Sequence, residues 1–301
     1  MKVCGFTIVK NAVLYDYPVL EAIKSALPLV DKFIVALGDG EDDTENFIRT
    51  IDSDKIEFVY SVWSKNNKNG HFLGVETNKA IDKISEEYTW CIYLQSDEVL
   101  HEKDYPEIRE AMEKHKDNLD VDGFLFNWKH FWGSYDYLGF GRKWYRREMR
   151  IIRNNKKIRS WHDAQGFRKV DGEKPTGVKL DAHVYHYGWV RSPLLMKKKV
   201  NSSLWNKRFW NKGSVETGFD FSKDYDCVLD YNGTHPEVMQ ERMKEINWEV
   251  KIDPKKRNFD FKDSILMWFE RLTGHRLAEN QHFHVYGKGK RLTNIWDESI
   301  F

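Results

Sequence analysis

Residues 90–98 read Trp-Cys-Ile-Tyr-Leu-Gln-Ser-Asp-Glu. The first five carry no charge, which is typical of a strand buried on both faces of a sheet. Gln95, Asp97 and Glu98 follow at once. Carboxylates that leave a buried strand offer the oxygen ligands that hard divalent cations prefer. The stretch therefore predicts a cation-binding turn at the end of a strand, with an ordinary acidic turn as the alternative.

Similar short apolar runs recur on both sides of this stretch, and patterns of helical period separate them. The runs lie at 3–9, 33–37, 56–60 and 122–128, and helices are predicted after Asp16, from Thr44, over 75–88 and from Asp104. Strands that alternate with helices indicate βαβ units and a mostly parallel sheet with helices on both faces. Ligands of such sheets bind at the carboxyl ends of the strands.

The rhythm breaks after residue 130. Strands are predicted at 149–153 and 183–187, and helices at 193–210, 236–246 and 261–272. We expect an α/β domain over 1–190, with a first half at 1–130 and a second at 131–190. A largely helical C-terminal extension over 191–301 would pack on it.

Composition narrows the classes of partner and the compartment. Lys plus Arg number 48 and Asp plus Glu 47 among 301 residues, a formal charge of +1, which gives no reason to expect a nucleic acid as partner. Cysteines stand at 4, 91 and 227, an odd number without C-x-x-C spacing, which favours a reducing compartment. Lys10 and Asn11 interrupt the first apolar run, and no run approaches the roughly 18 residues of a membrane span. We therefore expect a cytoplasmic protein.

Two further turns follow predicted strands. Gly38-Asp-Gly-Glu-Asp-Asp-Thr44 follows the second, where Asp39 could accept hydrogen bonds from a base or ribose. Taken alone, this turn favours a solvated acidic loop before a helix that begins at Thr44. Lys10 and Asn11 follow the first strand, where they could contact a phosphate and a base or ribose.

The order of these motifs resembles that of family-two-like glycosyltransferases of the GT-A fold. The motifs are Ile8-Val-Lys-Asn11, Gly38–Thr44, Thr77-Asn-Lys-Ala80 and Leu94-Gln-Ser-Asp-Glu98. In that family an Asn follows the first strand, a DDGSxDxT-like turn follows the second, and the D-x-D motif ends a later strand. The resemblance covers residues 3–130 well and the rest loosely.

The resemblance implies a nucleotide-sugar donor and a divalent metal, Mn²⁺ or Mg²⁺. Carried over by position, Lys10, Asn11, Asp39, Asn78 and Gln95 would bind the donor, and 1–130 would form the donor half. Asp97 matches the last Asp of D-x-D and would ligate the metal. Gln95 stands where the first Asp usually stands, which leaves metal dependence open, and Glu98 would compensate.

The acceptor half, 131–190, must supply the base. Asp163 in Ser160-Trp-His-Asp-Ala-Gln165 is the predicted general base, preferred over His162 because the family's base is usually a carboxylate here; a surface turn is the alternative. Many GT-A enzymes add a late histidine to the metal site, and His186 matches that element; a structural histidine is the alternative for His186 and, somewhat more, for His183.

Two basic or amphipathic segments remain. Six cations between Arg142 and Arg153 could contact a diphosphate or an anionic acceptor, or form a solvated face. The apolar residues of 265–272 could make a peripheral membrane contact, although packing on the catalytic body is favoured.

The sequence therefore predicts a glycosyltransferase that moves a sugar from a nucleoside-diphosphate donor to a glycan, glycolipid or protein acceptor, with inversion and metal assistance. A nucleotidyltransferase is disfavoured because no glycine-rich loop follows the first strand, and a Rossmann dehydrogenase because no G-x-G-x-x-G does. A non-catalytic carbohydrate- or nucleotide-binding module remains an alternative. A nucleotidyltransferase also stays among the alternatives. Donor sugar, nucleobase, acceptor, oligomeric state and the choice between an inverting and a retaining mechanism are left open.

Overall fold

The computed structural model describes residues 1–64, 70–202, 219–223, 225–273, 276–277 and 281–287. Within these residues the strands are Val3–Val9 (β1), Lys32–Gly38 (β2), Ile56–Ser61 (β3), Trp90–Tyr93 (β4), Glu98–Leu100 (β5), Gly123–Trp132 (β6), Tyr137–Phe140 (β7), Arg147–Arg153 (β8), Ile158–Trp161 (β9), Gly166–Lys169 (β10), Thr176–Trp189 (β11), Cys227–Asp230 (β12) and His284–Val285 (β13). The α-helices are Val19–Ala26 (α1), Thr44–Arg49 (α2), His71–Lys83 (α3), Tyr105–Lys114 (α4), Pro193–Asn201 (α5), Gln240–Lys244 (α6) and Phe261–Thr273 (α7).

The first half of the chain forms a parallel sheet in the order β3-β2-β1-β4. β1 is central, because β2 pairs with one edge and β4 with the other. The chain therefore changes direction across the sheet at β1, which makes the carboxyl ends of β1 and β4 a topological switch point. Such a switch point is where open α/β sheets bind ligands.

The second half of the chain extends the same sheet, mainly by antiparallel pairing. β8 pairs antiparallel with β4 and with β6, while the long β11 runs parallel to β6 and antiparallel to β5. The loss of the strand–helix rhythm after residue 130 thus marks a change to antiparallel pairing. The expected fold class, an α/β sheet with a parallel central part and flanking helices, is confirmed.

Both faces of the sheet are covered. Every residue of β1 is buried, and alternate side chains enter opposite apolar clusters because successive strand residues point to opposite faces. Val3 and Val9 pack with α1 and α4, whereas Phe6 and Ile8 pack with α3. Two-sided burial explains why the strand reads as a continuous apolar run.

The C-terminal extension contributes strands as well as helices. β12 pairs with β7, and β13 with β11. The helix predicted at 261–272 is present as α7, and that predicted at 236–246 is a 3₁₀ turn followed by α6. The helix predicted at 193–210 is described only over α5, since 203–210 lie outside the described residues. No described helix is long and apolar enough to cross a membrane.

Candidate functional site

The carboxyl edge of the parallel strands gathers several of the predicted residues. Asn11 follows β1, Asp39 follows β2 and Asp97 follows β4. The Leu94 N–H donates to the Phe6 carbonyl at 3.2 Å, which continues the β1–β4 pairing to the edge. The turns after β1, β2 and β4 therefore open onto one rim.

Lys10, Asn11 and Asp39 join the turns after β1 and β2 on this rim. The Lys10 ammonium lies 2.9 Å from Asp39 Oδ1, which also accepts the Trp63 N–H at 2.9 Å. These two donors lower the pKa of Asp39 to about 2. The Asn11 amide oxygen accepts the Glu41 N–H at 2.7 Å, and Asn11 is held at φ 55°. The structure thus locks the turns after β1 and β2 together.

Asp97 and His186 meet across the rim, although 89 positions separate them in the chain. His186 Nε2 lies 3.8 Å from Asp97 Oδ1. Gly188 borders the gap between them, because a Cβ built on it would come 2.6 Å from His186 Nε2 and 2.7 Å from Asp97 Oδ2. A glycine here keeps open the space that the two side chains face.

The hydrogen-bond chain behind His186 fixes its tautomer. The Tyr145 carbonyl can only accept, so His130 Nε2, at 2.9 Å from it, carries a hydrogen. Burial lowers the pKa of His130 well below 6.5, so the ring is neutral and its Nδ1 is an acceptor. That Nδ1 lies 3.1 Å from His186 Nδ1, which must therefore donate.

The consequence is a lone pair on His186 Nε2 that faces the Asp97 carboxylate. Burial lowers the pKa of His186, even though Asp97 opposes the shift, so the ring is neutral near pH 7. Two electron-rich groups that face each other at 3.8 Å in a buried gap repel unless a hydrogen-bond donor or a cation lies between them. The arrangement has the chemistry of two ligands of a cation site.

Two cationic side chains border the other side of Asp97. Lys199 Nζ donates to the Gly188 carbonyl at 2.7 Å and lies 3.7 Å from Asp97 Oδ2. Burial, with help from Arg191, lowers the pKa of Lys199 to about 7. Burial alone would raise the pKa of Asp97, but His186, Lys199 and Arg191, in that order of effect, outweigh burial and lower it. Asp97 is therefore ionised, with Oδ1 directed at His186.

The gap would offer a divalent cation two protein ligands. Asp97 supplies an oxygen and His186 a nitrogen, and Gly188 leaves the space. Among the described residues no group of three or more His, Cys, Asp or Glu side chains could hold a metal. The remaining ligands would have to be water or phosphate oxygens, which is the usual coordination of Mg²⁺ beside substrate phosphates.

Glu98 faces away from this gap. Both of its oxygens accept from the Arg150 guanidinium, at 2.7 and 2.8 Å, and both side chains have no exposed surface. Glu98 begins β5, which pairs with β11 opposite His186, and its ion pair with Arg150 ties β5 to β8.

Asn78 and Gln95 bond to the segment that carries Asp163. The Asn78 amide pairs with the Ser160 backbone, accepting its N–H at 2.8 Å and donating to its carbonyl at 3.1 Å. Gln95 Nε2 donates to the Ala164 carbonyl at 3.3 Å. Both side chains therefore hold the turn between β9 and β10 against α3 and the end of β4.

Asp163 lies in that turn, partly exposed. The residues on either side, His162 at φ 50° and Ala164 at φ 62°, occupy the left-handed region that non-glycine residues rarely adopt. The His162 carbonyl accepts the Gly74 N–H of α3 at 3.1 Å. Backbone strain of this kind persists only where surrounding contacts enforce it, so the turn has a defined shape.

The basic run of the second half is engaged within the protein. Arg150 pairs with Glu98 as described, and Arg153 donates to four backbone carbonyls that follow or end α4. Arg142 and Arg146 both reach Glu270 of α7. These guanidinium groups therefore join segments of the fold to one another.

Sequence reasoning missed three residues of the gap: His130, Gly188 and Lys199. Gly188 is adjacent to the predicted strand 183–187, and a glycine within a strand is a signal of close approach by another group. His130 lies beyond the predicted end of its strand, which the structure extends to Trp132. Lys199 is one of three consecutive lysines. The neighbouring sequence does not distinguish the buried Lys199 from the other two.

No family model matches the sequence, and no curated protein matches it. Solved structures do share features of the fold. S. aureus TarS has a TM-score of 0.37 and 13% identity, over 66% of this chain and 38% of that one. Glucosyl-3-phosphoglycerate synthase from Mycobacterium tuberculosis has a TM-score of 0.30 and 15% identity, over 42% of each chain. Its structure was solved with Mn²⁺, uridine diphosphate and phosphoglyceric acid.

A third solved structure, 4-diphosphocytidyl-2C-methyl-D-erythritol synthase from Anaerococcus prevotii, has a TM-score of 0.33 and 11% identity, over 51% of this chain and 71% of that one. This chain thus spans about two fifths of the first two proteins. The likeness is one of fold and identifies no activity.

Proposed function

We propose that this protein transfers a sugar from a nucleoside-diphosphate donor to an acceptor hydroxyl. The observation that carries the proposal is the gap at the sheet's switch point, where the lone pair of His186 Nε2 and the ionised Asp97 face each other at 3.8 Å. A divalent cation held there by Asp97 and His186 would neutralise the charge that grows on a departing diphosphate. The donor's phosphate oxygens would complete the coordination that the protein leaves open.

The chain's own residues supply the remaining parts. The group of Lys10, Asn11 and Asp39 offers a cation and two hydrogen-bonding side chains beside the gap, which suits the nucleoside end of a donor. The family resemblance led us to expect that Asn78 and Gln95 bind the donor. Their hydrogen bonds support the proposal indirectly, because they shape the turn that carries Asp163. We propose a scaffold role for Glu98, because Arg150 occupies both of its oxygens.

We propose Asp163 as the general base of an inverting transfer. Its carboxylate would accept the proton of the acceptor hydroxyl as that oxygen bonds to the anomeric carbon. The bond from the anomeric carbon to the phosphate oxygen breaks, and the diphosphate leaves with the electron pair. The support for this role is the strained turn that Gln95 and α3 hold near the end of β4.

The test is release of nucleoside diphosphate from a panel of nucleotide sugars, with Mn²⁺ or with a chelator. Wild type should release it from at least one donor, and Asp97→Asn should abolish release while the melting temperature stays within a few degrees. Asp163→Asn should lose transfer but keep the thermal shift caused by the nucleotide. Asp171→Asn, an exposed acid in the turn after β10, is the matched control.

Two results would reject the proposal in distinct ways. Pyrophosphate release from a nucleoside triphosphate and a sugar phosphate would indicate a nucleotidyltransferase. A nucleotide-induced thermal shift without release from any donor would indicate a binding module.

A further inference from the structure

Helix α7 contacts the rest of the protein through its acidic face. The buried Glu270 carboxylate lies 2.9 Å from Arg146 and 3.4 Å from Arg142, and Asp263 lies 3.7 Å from Arg142. A surface helix usually buries an apolar stripe and exposes its charges. Along one side, α7 does the reverse.

The opposite side of α7 exposes a stripe of large apolar side chains. Phe261, Ile265, Trp268 and Leu272 are 84%, 49%, 63% and 64% exposed. At about 100° of rotation per residue, the four fall within an arc of about 60°. Isolated exposed apolar residues are ordinary, but a contiguous stripe of four marks an interaction surface.

Cations flank this stripe. Lys262 and Arg271 are exposed and lie on its two sides, and residues 255–257, Lys-Lys-Arg, are exposed four residues before the helix begins. Asp263 and Glu270 are paired with arginines, whereas the exposed Asp260, which accepts the Asp263 N–H at 2.7 Å, keeps its negative charge and is outnumbered by the five exposed cations. The surface around the stripe is therefore apolar at its centre and positive at its rim.

We propose that α7 docks on an anionic lipid surface, lying in the plane of the interface. An apolar stripe with a Trp and a Phe, bordered by lysine and arginine, is the pattern that inserts between acyl chains while its cations contact lipid phosphates. The acidic contacts on the far side hold the helix to the body, so the stripe can enter the bilayer without leaving the protein. A second copy is a poorer occupant, since a two-fold contact would bring the cationic rims against each other.

The test is flotation of the full chain with vesicles of phosphatidylcholine, alone or mixed with phosphatidylglycerol, without any nucleotide. Wild type should bind the mixed vesicles and release them as salt rises. The Ile265→Glu/Trp268→Glu variant should bind at least about tenfold more weakly, since it removes two inserting side chains. Leu119→Glu, which changes an equally apolar side chain that is 80% exposed elsewhere, should bind like wild type.

Three outcomes would overturn the proposal. The double variant could bind as well as wild type, or wild type could bind neutral and anionic vesicles equally. Alternatively, wild type could ignore vesicles and sediment as a dimer that the double variant converts to a monomer, which would assign the stripe to a second copy. None of these results depends on whether the protein transfers sugars.

Discussion

The space beside Gly188 offers a sharp test of the cation site. In Gly188→Ala the new Cβ would lie 2.6 Å from His186 Nε2 and 2.7 Å from Asp97 Oδ2, whereas ordinary contact begins at 3.4 Å. His186 Nε2 and the Asp97 carboxylate must therefore retreat by about 0.8 and 0.7 Å, several times the roughly 0.2 Å tolerance of a metal–ligand distance. We expect Mn²⁺ affinity to fall by a factor of about 100, the upper end of losses seen when metal ligands are disturbed.

Gly177→Ala is the matched control for this variant. Gly177 lies in the same strand, β11, and its added Cβ would come 2.7 Å from Leu125 Cγ and 2.9 Å from Met149 Cε. Both substitutions should cost about 1–3 kcal/mol of stability through overpacking, but only Gly188→Ala should lose the ion. Mn²⁺ binding is followed by electron paramagnetic resonance and unfolding by urea titration. Wild-type affinity in a folded Gly188→Ala protein would refute a cation between Asp97 and His186.

Arg150→Met should lower the free energy of unfolding by about 3–5 kcal/mol, because it leaves the Glu98 carboxylate buried without a partner. In urea titrations the double variant Glu98→Leu/Arg150→Met should recover part of that stability. If the double variant is as unstable as Arg150→Met, the unpaired Glu98 is not the cause. Unfolding free energy should also decline as pH falls from about 6.5 toward 4. Burial lowers the pKa of His235 to about 4, so in this window the unfolded chain binds a proton that the folded chain does not, and above it neither does. His235→Gln should flatten that part of a urea–pH series, and an unchanged slope would point to other groups.

The sequence predicted the parallel half of the fold because its signals are local. A strand buried on both faces must be apolar throughout, so the apolar runs at 3–9 and 33–37 are recognisable as strands. The helices between such strands are recognisable from apolar residues at helical spacing. The antiparallel half was harder. The fifth predicted strand ended at Trp128, since Lys129 and His130 interrupt the apolar run, yet both lie within β6.

The candidate site was predictable only in part, for the same reason. Asp97 and His186 were chosen as metal ligands from their places in motifs, and the structure brings them to 3.8 Å, although their role stays a prediction. Glu98 was chosen by adjacency to Asp97, but Asp97 lies in the turn and Glu98 begins β5, where its partner Arg150 lies 52 positions away. The hydrogen bonds from His130 to the Tyr145 carbonyl and to His186 join three distant segments, which no local pattern in the sequence encodes.

The position of β4 in the sheet also bears on how the chain matures. β4 is flanked by β1 on one side and by β8 on the other, and β8 comprises Arg147–Arg153. While the polypeptide is emerging from the ribosome, the first four strands can assemble before β8 has been translated. During that interval one side of β4 carries bare N–H and C=O groups, which invite pairing with a neighbouring nascent chain. A pause in translation shortly after residue 130 should therefore be the moment of greatest exposure to misassembly.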